Sequence, residues 1–210
     1  MKPQILVSAV TAGSGKTLFT MGLLRALKNR GMKVQPYKCG ADFIDSQYLS
    51  IAADKESVNL DVWMSSPTHT QHIYNRYGEQ ADACITEGTA ALFDGYRRMQ
   101  GSSAEIASIL NLPVILLVNA RMAGYSVAPL LYGYKHFYSG VHIAGVIFNQ
   151  VSSPAHYAYL REACSDTGLD CLGYLPVMEG IKPSSKHNAI SLSNRRMIDE
   201  QTDLIAAQLK

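Results

Sequence analysis

Apolar positions along this chain follow two alternating rhythms. Residues 5–10 form a continuous apolar run of buried-strand length, broken by Thr11-Ala12-Gly13. From residue 16 to 29, Phe19, Leu23 and Leu27 recur at helical spacing with Thr20 and Leu24 beside them, and Gly31 stands where that helix should stop. Residues 31–36 lead back into a second short strand. The pattern then repeats, with strands over 83–86, 113–118, 141–148 and 171–175, and helices over 103–110, 154–163 and 195–209. The 113–118 run is apolar on both parities, as expected of a strand covered on both faces. Such alternation predicts an α/β fold with a doubly wound, mostly parallel sheet. Residues 180–193 carry no clear period and read as a surface loop able to hold function.

Composition changes this picture little. The chain has 210 residues, 47% of them hydrophobic and 17% charged, and fits one α/β domain spanning 1–210. A formal net charge of +2, with only Arg97-Arg98 and Arg195-Arg196 adjacent among the arginines, argues against a nucleic-acid partner. The longest strongly apolar run, 112–118, is too short to cross a bilayer, and the amino terminus has no signal-like h-region. A cytoplasmic location is the expectation. Cys39, Cys84, Cys164 and Cys171 form no C-x-x-C pair and suit free thiols in a reducing compartment. Cys84 and Cys171 lie in apolar runs and read as small core residues.

The strongest chemical signal is Gly13-Ser14-Gly15-Lys16-Thr17, set between the first strand and the first helix. Glycines there allow backbone N–H groups to converge on phosphate oxygens. The helix N-terminus adds partial positive charge, Lys16 reaches the β- and γ-phosphates, and the Thr17 hydroxyl suits Mg²⁺. This is a P-loop for ATP, with Val10 standing where the first glycine of the full pattern belongs.

Further metal ligands belong at the carboxyl ends of strands. Asp42 follows the second strand and Glu87 ends the third, so both are expected to approach Mg²⁺ together with Thr17. Asp45 and Asp94 read equally well as site residues and as turn formers.

The runs 11–17 and 35–45 together resemble the amino-terminal half of the cobyrinic acid a,c-diamide synthase family. Asn59-Leu60-Asp61-Val62-Trp63-Met64, residues 87–95 and 101–107, Gly145-Val146-Ile147-Phe148-Asn149-Gln150-Val151, His156 and Leu172-Gly173-Tyr174-Leu175-Pro176 extend the likeness. The resemblance implies a dethiobiotin-synthetase-like P-loop fold and ATP- and Mg²⁺-dependent amidation of two carboxylates on a corrin-type tetrapyrrole, through an acyl phosphate. A carboxylate is a poor electrophile. Phosphorylation supplies a leaving group that ammonia displaces, and the protein's work is positioning and charge neutralisation. On that reading Lys16, Lys38 and Asp45 are the catalytic candidates, Asn149 reads the adenine edge, and Ser102 and Ser103 meet the substrate carboxylate. Helix capping is the plainer reading of both serines. The aromatic cluster Tyr132, Tyr134, His136, Phe137 and Tyr138 suits a flat macrocycle, but more commonly such a cluster is helix packing.

The chain departs from the family pattern at Ala41 and Ser46, at Thr89-Ala90-Ala91, and at Lys186-His187-Asn188-Ala189-Ile190. Family members continue into a glutaminase domain, which is expected to be absent from this chain. Ammonia then comes from an excised domain, a partner glutaminase subunit or free solution. A homodimer is compatible with these readings. Two alternatives share the fold. One is a dethiobiotin-synthetase-like carboxylase, disfavoured by Asn59-Leu60-Asp61 and Leu92-Phe93-Asp94-Gly95. The other is a partitioning or division-site switch ATPase, disfavoured because Thr11 replaces the leading lysine.

Overall fold

The computed structural model describes residues 2–178 and 195–209. The poorly patterned 180–193 stretch, with Lys186 to Ile190, therefore lies outside the described residues. The elements run β1 (Gln4–Ala9), α1 (Lys16–Asn29), β2 (Val34–Cys39), α2 (Phe43–Ala53), β3 (Val58–Leu60), α3 (Pro67–Gly78), β4 (Ala83–Glu87), α4 (Ser103–Leu110), β5 (Val114–Asn119), α5 (Val127–Phe137), β6 (Ile143–Val151), α6 (Pro154–Thr167), β7 (Cys171–Pro176) and α7 (Arg195–Ala206). The seven strands form one sheet in the order β3-β2-β4-β1-β5-β6-β7, and every neighbouring pair is parallel. The doubly wound expectation holds.

Alternation along the strands divides the core in two. Leu6, Tyr37, Cys39, Cys84 and Leu116 face one cluster, built with Tyr74 of α3, Ile106 of α4, Leu131 of α5 and Leu160 of α6. Val7, Ala9, Ile85 and Leu117 face the other, built with Phe19 and Leu24 of α1, Leu49 and Ala52 of α2, and Ile198 and Ile205 of α7. Cys84 is a core residue as expected, whereas Cys171 is only half-buried.

That parity positions the chemistry. Tyr37 and Cys39 point to the first cluster, so Lys38 between them must point to the α1 side. Ile85 already faces that side, so Glu87, two residues on, does too. Lys38 and Glu87 are also direct register partners across β2 and β4. Strand pairing alone thus sets an ammonium beside a carboxylate under the start of α1.

Several boundaries differ from the sequence expectation, among them the end of α6, which runs to Thr167 rather than 163. β2 runs to Cys39 rather than stopping at Pro36. Proline is tolerated because β3 pairs with β2 only from Tyr37 onward, so no ladder partner stands on that side at Pro36. β6 begins at Ile143 and continues to Val151, and α7 ends at Ala206. Helices α2 and α3 carry too sparse a rhythm to read in advance. In α3 only Thr70, Tyr74 and Gly78 are buried, one residue per turn.

Arg25 ties α1 to two neighbours. Its Nε donates to Ala52 O at 3.1 Å and an Nη to Ile51 O at 3.3 Å, satisfying carbonyls at the end of α2. The other contacts go to Asp203 at 2.7 Å and to Asp199, both on α7. Arg25→Ala should lower unfolding free energy by about 2 kcal/mol, chiefly through the two α2 carbonyls left without a donor, since Asp199 and Asp203 keep access to water. Urea denaturation measures this, with amide exchange in α7 rising first.

Candidate phosphate and metal site

The loop between β1 and α1 is shaped by its two glycines, with φ of +74° at Gly13 and +92° at Gly15. Gly15 has a second constraint, because a Cβ there would lie 2.3 Å from Asn149 Nδ2. Helix α1 opens with no side-chain cap and no acidic residue in its first turn. Its leading N–H groups are left for an anion. Val10 needs no glycine: its φ is not positive, its N–H donates to Leu117 O at 3.2 Å, and its carbonyl accepts from the Tyr134 hydroxyl at 2.6 Å. Ser14 Oγ closes the loop onto Thr11 O at 2.8 Å.

Beneath the loop sits a buried polar cluster. Glu87 is wholly buried, and its Oε1 accepts from Thr17 Oγ1 at 2.9 Å and from Lys38 Nζ at 2.6 Å. Lys38 uses its remaining donors on Gly88 O at 3.2 Å and Asp45 Oδ2 at 3.0 Å, so all three N–H bonds are matched. Glu87 Oε2 is buried and has no partner among the described residues. A bare carboxylate oxygen in a dry site is costly unless something completes it. The hard, oxygen-seeking chemistry of Mg²⁺ fits that oxygen and the adjacent Thr17 hydroxyl.

Burial is the main influence on Glu87 and raises its pKa; Lys38 opposes the shift and nearby Asp45 adds to it. Burial alone would lower the pKa of Lys38, but Glu87 and Asp45 outweigh it and hold the ammonium charged. Lys16 is lowered, chiefly by burial, against the pull of Glu87 and with a push from Lys38. Its Nζ donates to Ala90 O, a carbonyl turned inward by the left-handed φ of +41° at Ala90. Burial pushes the Cys39 thiol up to about 12, which leaves no thiolate nucleophile beside Lys38.

The other expected residues divide. Asp45 joins the cluster through Lys38. Asp42 instead serves as the N-cap of α2, its Oδ1 accepting from Ile44 N at 3.2 Å and Asp45 N at 3.1 Å. No contact joins Asp42 to Glu87 or Thr17 among the described residues, and no group of three acidic, His or Cys side chains gathers there as a ready metal cage.

Ser102 and Ser103 are fully buried and face the fold rather than an open cleft. Ser102 is the N-cap of α4, accepting from Glu105 N at 3.2 Å, and Ser103 Oγ donates to Thr89 O at 3.0 Å. Ser102 thus caps α4 and Ser103 ties α4 to the Thr89 carbonyl; neither bond is a substrate contact. Asn149 braces the loop, its Nδ2 donating to Ser14 O at 2.8 Å and its Oδ1 accepting from Gln150 N at 2.9 Å. Its amide thereby sits against the phosphate loop. His156 pins the segment after β5 to α6, its Nε2 lying 2.7 Å from Ala123 O.

Two residues were not legible in the sequence as parts of the site. Ala90 holds Lys16 through a backbone atom, which leaves no trace in residue type. Tyr134 holds Val10, and its helical setting among other aromatics disguises that bond.

The model of the CobQ/CobB/MinD/ParA nucleotide binding domain matches residues 5–190. The cobyrinate a,c-diamide synthase of Saccharolobus solfataricus is 39% identical over 184 residues, covering 88% of this chain and 42% of that protein. The hydrogenobyrinate a,c-diamide synthase of Brucella ovis is 40% identical over 183 residues, covering 87% and 42%. The cobyrinate a,c-diamide synthase of Dehalococcoides mccartyi is 42% identical over 176 residues, covering 82% and 38%. This chain therefore spans about two fifths of the length of these relatives. Among solved structures, chloroplast FtsY from Physcomitrella patens superposes with a TM-score of 0.61 at 15% identity, covering 96% of this chain and 65% of that one, a likeness of fold. No described helix is long and apolar enough to cross a membrane.

Lys38→Met should destabilise the fold by about 3–5 kcal/mol, because it leaves the charges of Glu87 and Asp45 without their buried counterion. Adding Glu87→Gln should recover part of that loss, and chemical denaturation of both variants measures the coupling.

Proposed function

The chain belongs to the CobQ/CobB/MinD/ParA nucleotide binding domain family, and from that premise we propose that it carries out the ATP-dependent step of carboxylate amidation on a corrin-type tetrapyrrole. The observation that carries this reading is the buried Glu87 carboxylate, bonded through one oxygen to the Thr17 hydroxyl at the phosphate loop and left bare at the other. The names of the relatives, cobyrinate and hydrogenobyrinate a,c-diamide synthase, support the choice of substrate.

In this account Gly13, Ser14 and Gly15 present N–H groups to the triphosphate, and Lys16 exchanges its bond to Ala90 O for a phosphate oxygen. Thr17 and Glu87 would hold Mg²⁺, while Asp42 stays engaged as the N-cap of α2. The ion supplies charge neutralisation and orientation on the phosphates. Lys38, fixed by Glu87 and Asp45, keeps a positive charge where the γ-phosphoryl group and the substrate carboxylate meet. The carboxylate oxygen attacks the γ-phosphorus and ADP leaves. Ammonia then adds to the acyl phosphate carbon, and inorganic phosphate departs with formation of the amide. Asn149 offers its spare amide groups to adenine. Ammonia arrives from a glutaminase domain, a partner subunit or solution.

Purified protein supplied with ATP, Mg²⁺, cobyrinic acid and ammonia or glutamine should release phosphate in step with amide formation. Lys16→Ala should reduce turnover by at least about a thousandfold, the scale of removing one principal phosphate-stabilising cation, with the circular dichroism spectrum unchanged. Wild-type activity in that variant would contradict the assignment.

A further inference from the structure

A cavity of about 830 Å³ is lined by Phe93, Arg97, Arg98, Met99, Gln100, Phe137 and Tyr138. Its size falls within the range of small-molecule sites. We propose that this cavity seats the flat face of an acidic conjugated macrocycle, with its carboxylates on Arg97 and Arg98. The proposal rests on the tetrapyrrole reading above and assigns it a location.

Four observations converge on this. First, neither arginine has a carboxylate within ion-pair distance among the described residues, and both are exposed. Two adjacent guanidinium groups without internal partners offer forked donors to carboxylates.

Second, the arginines sit on a firm support. The turn that carries them is laced by Gly95 N to Arg98 O at 2.8 Å, Tyr96 N to Gln100 O at 2.9 Å and Gln100 N to Arg97 O at 3.1 Å. Arg98 is held there at a φ of +53°, a conformation that arginine seldom adopts without cause. A Cβ at Gly95 would strike Gln100 O at 2.0 Å, so the turn needs its glycine.

Third, the aromatic lining is only partly used by the fold. Phe93 lies between Tyr134 and Phe137, with ring centroids 5.3 and 5.0 Å away. Phe137 nonetheless keeps 69% of its surface exposed. A large ring left open beside paired cations is the composition that a flat anion requires.

Fourth, the cavity and the phosphate site share a segment. Ala90 holds Lys16 through its carbonyl, and Phe93 lines the cavity three residues later. Three residues span at most about 11 Å, so the Phe93 backbone lies within that distance of the segment that holds Lys16. Asp94, next to Phe93, is close enough to Lys16 to raise its pKa against the stronger effect of burial.

The test uses the 210-residue chain and cobyrinic acid, followed by its visible absorbance in equilibrium dialysis, with its methyl ester as the uncharged control. The variant is Arg97→Ala combined with Arg98→Gly, since glycine fits the left-handed turn and keeps its shape. Wild type should prefer the acid to the ester, and the preference should weaken with added salt. The double variant should bind the acid at least tenfold more weakly, lose the preference over the ester and retain its ATP affinity. Unchanged binding of the acid in the double variant would overturn the cavity and leave the ligase reading standing. Failure of the wild-type chain to bind cobyrinic acid at all, with ATP binding intact, would overturn both the cavity and the tetrapyrrole assignment.

Discussion

A carboxylate taken wholly out of water is expensive, and the site is organised around one. Glu87 ends a central strand, and the fold compensates its charge with Lys38 from the adjacent strand and the Thr17 hydroxyl from the first turn of α1. Both partners use the same oxygen. The arrangement is therefore satisfied on one side and open on the other, which makes it a poor stabilising ion pair and a suitable seat for a cation. Sheet register, the twofold alternation of strand side chains and the start of α1 must all agree for it to form. The position of the phosphate loop, the restraint on Lys38 and the place of Asp45 follow from that agreement.

Much of this was legible before any coordinates. The loop from Gly13 to Thr17 was readable because phosphate binding by backbone amides demands glycines at fixed places. Glu87 was readable because it ends a short apolar strand. Asp42 was not, since an Asp just after a strand and just before a helix serves equally as an N-cap, and α2 itself has too weak a rhythm to announce its start. Ser102 shows the same ambiguity resolved toward the helix, while Ser103 binds the Thr89 carbonyl instead. Lys38 lies inside β2, where parity and register fix its direction.

Two departures from the expected patterns, at Val10 and Ala90, have local explanations. Val10 replaces a glycine at a position that does not require positive φ, and its backbone is held by Leu117 and Tyr134. Ala90 does take a left-handed conformation, and its carbonyl is the acceptor for Lys16. Bonds made by main-chain atoms are invisible to residue identity, so neither arrangement could be read from sequence. The same limit hid Tyr134, whose hydroxyl bridges the aromatic cluster to the phosphate loop.

The account stands on the open oxygen of Glu87. Crystals grown with Mg²⁺ and a non-hydrolysable ATP analogue test it most directly. The prediction is an ion about 2.1 Å from Glu87 Oε2 and the Thr17 hydroxyl, in octahedral array with phosphate oxygens and water. A nucleotide bound in the loop with its ion elsewhere, and Glu87 still carrying a bare oxygen, would contradict it.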